Sequence, residues 1–262
     1  MILRRLGNKK KIAKEIQKYF PEHKIYIEPF FGAGGMFFNK PKAKYNIVND
    51  LDSDVFNLFQ VVMNQKEDLE KAFYMMPIHS DLLDYWKENK EEEPIRKALR
   101  FLFLSNFLLF GNNGSLRHGV SGGNKSIGSK NSILNDLKPT FDFLYGVDFR
   151  NWDFRKFISK LSFINDGRND EDKTLIYCDP PYLETNDNYS NSFTEIDSLD
   201  LFNTLEETKC KFAMSEFDHP FILDQAENRG LNIIYIGERQ NLKNRRIEVL
   251  ITNYKNNQQS LF

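Results

Sequence analysis

The stretch Thr174-Leu175-Ile176-Tyr177-Cys178-Asp179-Pro180-Pro181-Tyr182 is an apolar run that ends on a carboxylate and a pair of prolines. The charged segment from Asp166 to Lys173 precedes it. A run bounded in this way reads as a buried strand that stops at Asp179. A carboxylate therefore stands at the carboxyl end of a strand, and in open α/β sheets that edge is where ligands bind. Proline lacks a backbone donor and restricts the residue before it, so Pro180 and Pro181 hold Asp179 and Tyr182 in a stiff turn. Two acceptors, the Asp179 carboxylate and the Pro180 carbonyl, can converge on a planar NH2 group while Tyr182 stacks on its ring. The exocyclic amine of a nucleobase has that shape. A proline pair between strand and loop is otherwise simply a turn.

Upstream, Ile25 to Gly35 reads as a strand running into a glycine-rich turn, with Glu28, Phe30, Gly32 and Gly34 at alternate positions. Glycines there let the backbone adopt positive φ and approach a ligand closely. Gly35 is followed by Met36, Phe37 and Phe38, so the third glycine of the dinucleotide pattern is missing. That argues against a nicotinamide-dependent dehydrogenase. Tyr45 to Asp50 is a second strand with an acidic end about twenty residues after the glycine turn, where a ribose-binding carboxylate is expected. Asp50 is alternatively the N-cap of a helix from Ser53 to Met63. Before both strands, Arg5-Leu6-Gly7-Asn8-Lys9 is a turn feeding a helix with Ile12, Ile16 and Tyr19 on one side, closed at Pro21. Lys9 either reaches an anionic ligand, such as one bearing a carboxylate, or is an ordinary solvated lysine.

From about Leu58 the pattern turns helical. The run Glu91-Glu92-Glu93 reads as a solvated helix end, and Arg96 to Phe110 is apolar enough to be buried on nearly all sides. Gly111 to Gly128 then carries Arg117, His118, Asn124 and Lys125 on a glycine- and asparagine-rich backbone. It is either a connector or a loop that meets a ligand, and arginine and asparagine are side chains that read base edges. His118 has no histidine or cysteine neighbour in sequence, so no metal is expected. Asn151-Trp152-Asp153-Phe154 precedes a short helix that Asp153 would cap; Asp148-Phe149 is a competing pair. After Tyr182 the polar segment Leu183 to Phe193, with Tyr189, reads as a flap over bound substrate. Strands at Lys211–Ser215, Leu231–Gly237 and Ile247–Tyr254 complete the chain, the last two a hairpin joined by a basic turn.

With 262 residues and 40% hydrophobic content, the chain can hold a large α/β domain with an insertion. Cys178 and Cys210 offer neither a disulfide framework nor zinc spacing. No signal peptide or run of spanning length is read, so the expectation is a soluble cytoplasmic protein of a bacterium or its phage, away from membranes. The net charge of -1 conceals segregation: Arg4, Arg5, Lys9, Lys10, Lys11, Lys14, Lys18 and Lys24 face only Glu15 and Glu22 in the first 24 residues. Arg239, Lys243, Arg245, Arg246 and Lys255 cluster near the end. Such clusters either track phosphates or are solvated faces.

The order of these motifs, from Gly-Asn-Lys turn to Asp-Pro-Pro-Tyr, resembles that of the Dam-type (class D12, α-group) adenine-N6 DNA methyltransferases over nearly the whole chain. The resemblance implies a Rossmann-like α/β fold, mostly parallel with a C-terminal antiparallel hairpin. It implies a catalytic domain of residues 1–57 and 146–262 and a target-recognition insertion of 58–145. It implies S-adenosyl-L-methionine as cofactor, leaving as S-adenosyl-L-homocysteine, with Gly7, Lys9, Glu28, Phe30, Gly32, Gly34, Asp50, Asp153, Phe154 and Asp179 around it. Asp179, Pro180, Pro181 and Tyr182 would be catalytic on a flipped adenine in double-stranded DNA. Arg117, His118, Asn124, Lys125 and Tyr189 would meet that DNA, and a cognate restriction endonuclease is a possible partner by analogy. An N4-cytosine methyltransferase and an inactive DNA-binding relative are the alternatives.

Overall fold

A computed structural model describes residues 1–5, 7–108, 116, 125–165, 167–183, 193–240 and 245–255. Along the chain these form α1 (Ala13–Gln17), β1 (Ile25–Glu28), β2 (Tyr45–Asn49), α2 (Ser53–Asn64), α3 (Lys66–Met75), α4 (Ser80–Glu88), α5 (Pro94–Phe107) and α6 (Lys125–Leu144). Then come β3 (Asp148–Arg150), α7 (Phe154–Ser159), β4 (Ile164–Asn165), β5 (Arg168–Asn169), β6 (Thr174–Cys178), α8 (Glu195–Glu207), β7 (Lys211–Phe217), α9 (Pro220–Asn228), β8 (Asn232–Gln240) and β9 (Arg245–Thr252). Two compact units are present, one of Met1–Asn8, Gly32–Gly34 and Asp52–Phe149, the other of Lys9–Phe31, Gly35–Leu51 and Arg150–Phe262.

Among the described residues a seven-stranded sheet has the order β3-β2-β1-β6-β7-β9-β8. β1 runs parallel to β2 and β6, and β6 parallel to β7. β9 is antiparallel to both β7 and β8. This is the mostly parallel α/β arrangement with a terminal hairpin that the sequence implies. β6 is central, and all five of its residues are buried, as a strand covered on both faces requires. The segment before it is more ordered than a charged loop: β4 and β5 form a small ladder, and buried Asp170 accepts from Lys24 at 2.8 Å.

One face of the sheet is apolar. Ile25, Ile27, Ile176, Cys178, Phe212, Met214, Val249 and Ile251 pack there with Phe157 of α7 and Leu201, Phe202 and Leu205 of α8. Side chains alternate along a strand, so Tyr26, Glu28, Tyr177, Ser215, Phe217 and Glu248 fall on the other face. Tyr177 and Ser215 share a 2.8 Å hydrogen bond there, and the Tyr26 hydroxyl donates to Glu28 Oε2 at 2.9 Å.

The other unit is helical. Asp52 caps α2 by accepting from the Asp54 N–H, and Glu93 caps α5 through the N–H groups of Ile95 and Arg96. Phe101, Leu102, Phe103, Leu104, Asn106, Phe107 and Leu108 are all buried, whereas Arg96 at the helix start is exposed, so burial on nearly all sides holds only for the second half of α5. Trp86, Phe103, Phe107 and Phe73 form a chain of ring contacts. The acidic run is more than a solvated end: Glu91 accepts the Trp86 indole N–H at 2.9 Å and pairs with Arg96.

Candidate active site

The sheet's carboxyl edge gathers ionisable groups because β1, β6 and β7 are parallel neighbours, and each has an acidic residue at or next to its end: Glu28, Asp179 and Glu216. β9 adds Glu248, which stands opposite Phe217 of β7. Lys9 points among them from the short 3-10 turn Lys9–Lys11. Its Nζ lies 2.9 Å from Asp179 Oδ1 and 3.1 Å from Glu248 Oε1. The lysine is 2% exposed and Glu248 1%, while Asp179 keeps 21% of its side chain open. Tyr182 donates its hydroxyl to Glu248 at 2.6 Å and is also bonded by Lys9 Nζ. Its half-buried ring meets Phe217 edge-on at 4.6 Å. The ring is thus held in place without being sealed in the core.

Burial raises the proton affinity of Asp179, Lys9 opposes that, and the nearby Glu248 charge adds to it. Burial likewise pushes Glu28 and Glu216 well above the carboxylate range. Glu216 belongs to the apolar face by strand alternation, and among the described residues its Oε1 has no hydrogen-bond partner. Leaving aside Glu28 and Glu216, which burial holds toward the protonated form, the paired cluster still sets two carboxyl groups, Asp179 and Glu248, against the one ammonium of Lys9. That balance fits a ligand that is itself positive.

The second strand's end is stitched to the turn before α7. Asn49 Nδ2 donates to the carbonyls of Pro29 (3.0 Å) and Trp152 (2.9 Å), and its Oδ1 accepts the Trp152 N–H at 2.9 Å. Asn151 Nδ2 donates to the carbonyls of Asp50 (2.7 Å) and Leu51 (3.0 Å). Asp50 is buried and is not the cap of α2, which is Asp52. Asp153 caps α7 by accepting the Arg155 N–H at 2.9 Å, and its other oxygen pairs with the Arg155 guanidinium. Phe154 is buried and touches Phe30 and Phe193 at ring separations of 5.4 and 5.9 Å. Phe149 of the competing pair packs on Phe56 and Phe59 in the helical unit.

Glu28, Phe30, Asp50, Asp153, Phe154, Asp179, Pro180, Pro181 and Tyr182 all belong to the sheet unit. Gly32 and Gly34 follow β1 with φ of 55° and 71°, and Gly7 has φ 83°, the left-handed backbone that glycine adopts without strain. Lys9 is not the ordinary solvated lysine of the alternative reading: its ammonium is buried and faces two protein carboxylates. Arg117, His118, Asn124 and Tyr189, with most of the flap, lie outside the described residues. Lys125 is described only as the first residue of α6. The amino-terminal basic cluster is partly spent internally, since Arg5 pairs with Asp52, Lys18 with Glu15 and Lys24 with Asp170. Arg4, Lys10, Lys11 and Lys14 are exposed. Sequence reading missed Glu248 and Asn49. Glu248 follows Ile247 in a strand otherwise apolar after it, and a lone acid in such a run is the signal that marks it.

The profile of the D12 class N6 adenine-specific DNA methyltransferases matches residues 6–249. The DNA adenine methylase of Escherichia coli strain K12 is 28% identical over 201 residues, which cover 72% of this chain and 69% of that protein. That of Vibrio cholerae serotype O1 is 28% identical over 215 residues, covering 77% and 74%. A solved structure of a conserved hypothetical protein from Streptococcus pyogenes aligns over 92% of each chain at 10% identity with a TM-score of 0.39, too loose a likeness to argue from. Among the described residues no helix is long and apolar enough to cross a membrane.

Proposed function

The chain belongs to the D12 class of N6 adenine-specific DNA methyltransferases, and we infer that the turn Asp179–Tyr182 is where it methylates N6 of an adenine taken out of double-stranded DNA. The observation that carries the reading is Asp179 at the end of the central strand, partly open, with the Tyr182 ring beside it and carboxyl groups in excess. S-adenosyl-L-methionine, when bound, supplies a methyl group on a positive sulfur and leaves as S-adenosyl-L-homocysteine. Asp50 in the sheet unit suits its hydroxyl-bearing part, and Phe30 and Phe154 offer rings for its base. Glu28, which burial holds toward the protonated form, offers hydrogen bonds rather than charge.

The N6 lone pair of adenine is delocalised into the ring and is a poor nucleophile. Asp179 and the Pro180 carbonyl accept its two N–H groups, which favours a pyramidal nitrogen with the lone pair free. Once methylated, the nitrogen carries the positive charge and sheds one of those protons to solvent. Positioning and charge complementarity supply most of the acceleration. An amine inside a duplex cannot reach such a turn, so the base is flipped out and stacks on Tyr182. The unstacking costs a few kcal/mol, roughly, which phosphate contacts from exposed cations such as Lys10, Lys11 and Lys14 offset.

The test is to incubate the protein with tritiated-methyl cofactor and unmethylated duplex DNA, then digest the DNA and chromatograph the nucleosides. Label in N6-methyladenine is expected. Label in N4-methylcytosine would reassign the base, and unlabelled DNA that still binds the protein would make it an inactive relative.

A further inference from the structure

In the reading above, on which this inference rests, Asp179 accepts the target amine; yet its Oδ1 already lies 2.9 Å from Lys9 Nζ. A paired ammonium weakens a carboxylate as an acceptor for anything else. Lys9 cannot simply be abandoned, because a buried charge stripped of its partner is strongly destabilising. A second carboxylate is in reach. Glu248 Oε1 is 3.1 Å from the same Nζ and accepts the Tyr182 hydroxyl at 2.6 Å. The two acids are held differently: Glu248 sits within β9, paired with Phe217 of β7, and is almost fully buried, whereas Asp179 opens a turn and is partly exposed.

We propose that Glu248 is a positioning residue that holds Lys9 as a fixed counter-ion and Tyr182 by its hydroxyl, freeing Asp179 to turn from the ammonium to the amine of the flipped base. Glu248 acts through Lys9 and Tyr182 without meeting the reacting atoms. Glu28 from β1, Tyr177 from β6 and, from the opposite face of β7, Glu216 are electrostatically coupled to Asp179, but among the described residues the ion pairs of Lys9 go to Asp179 and Glu248. Because the Glu248 charge raises the proton affinity of Asp179, its removal has a signature that lost packing lacks. Asp179 should ionise at lower pH while transferring more slowly, since Lys9 then rests wholly on it.

The experiment is single-turnover methyl transfer, at saturating tritiated-methyl S-adenosyl-L-methionine, to mixed-sequence unmethylated duplex DNA across the acid limb of the pH profile. Glu248→Gln, Asp179→Asn and the double variant Lys9→Met/Glu248→Gln are compared with the parent, each checked for cooperative thermal unfolding. Glu248→Gln should lose about tenfold or more in rate, with its acid limb at lower pH. The double variant should recover part of that loss, because the ammonium resting on Asp179 is gone. An unchanged rate, or a slower one with an unmoved limb and no recovery, overturns the proposal while Asp179→Asn stays inactive. Activity in Asp179→Asn would instead overturn the reading of Asp179 itself. If Glu248→Gln does not fold, the double variant decides alone: transfer well above that of Asp179→Asn supports the proposal, and transfer no better than it overturns the proposal.

Discussion

Asn49 is bonded to the backbone of Trp152 in both directions, its Nδ2 donating to the carbonyl and its Oδ1 accepting the N–H, each at 2.9 Å. The same Nδ2 reaches the Pro29 carbonyl at 3.0 Å, so one side chain ties the ends of β1 and β2 to the turn that presents Asp153 and Phe154. A backbone turn that cannot pair in the sheet gets its partners from this amide instead.

Asn49→Ala leaves two carbonyls and one N–H without their partner at a position 1% exposed. A loss of about 2–4 kcal/mol in urea unfolding is expected. Asn49→Asp should cost at least as much, because a carboxylate keeps the acceptor but loses the donor and buries a charge. A change under roughly 0.5 kcal/mol would mean that water takes over the bonds.

Glu28 makes stability depend on pH. Burial holds its proton affinity well above the ordinary 4.5, with the Tyr26 hydroxyl pulling the other way. A raised folded value means that the contribution is full below 4.5 and is lost as pH rises through the folded value. Lys40, pushed down by burial to about 8, adds no slope below that pH because it is charged in both states there. Glu28→Gln should therefore gain stability over the parent as pH climbs from 4.5 toward 8 and match it in acid. Thermal unfolding across that window checks it, and a constant difference would show that Glu28 ionises as freely folded as unfolded.

The sheet was legible in sequence because β6 is an unbroken apolar run and its stop, Asp179-Pro180-Pro181, is written in residues with few conformational choices. The cap reading of Asp50 fails on proximity alone: the cap must directly precede Ser53, and that residue is Asp52. Lys9 and Glu248 could not be paired from sequence, since 239 positions apart they meet only through the antiparallel register of β7 and β9. Nor could Asn49, whose partners are backbone groups that carry no residue signature.

Arg155 spans three carboxylates, lying 3.2 Å from Asp153, 2.5 Å from Asp197 and 2.7 Å from Asp200, with its guanidinium 4.4 Å over the Phe154 ring. Lysine, a point charge, cannot reproduce that fork. Arg155→Lys should cost about 1 kcal/mol in unfolding, since the cluster is partly solvated. It should also weaken cofactor binding in isothermal titration, by loosening Asp153 and Phe154. Unchanged affinity would separate this cap from the cofactor.

Tyr182 combines a tethered hydroxyl with a half-buried ring, and the two parts predict different losses. Tyr182→Phe removes the bonds to Glu248 and Lys9 but keeps the edge contact with Phe217 and the surface on which a base would stack. Tyr182→Ala removes both. Base–aromatic stacking is worth about 1–3 kcal/mol, roughly a 5- to 150-fold change in binding. If the ring receives the flipped adenine, Ala should lose that much more than Phe in single-turnover transfer, and both should bind cofactor as the parent does. Equal losses in Phe and Ala would place the tyrosine's whole contribution in its hydroxyl, and the stacking role would go.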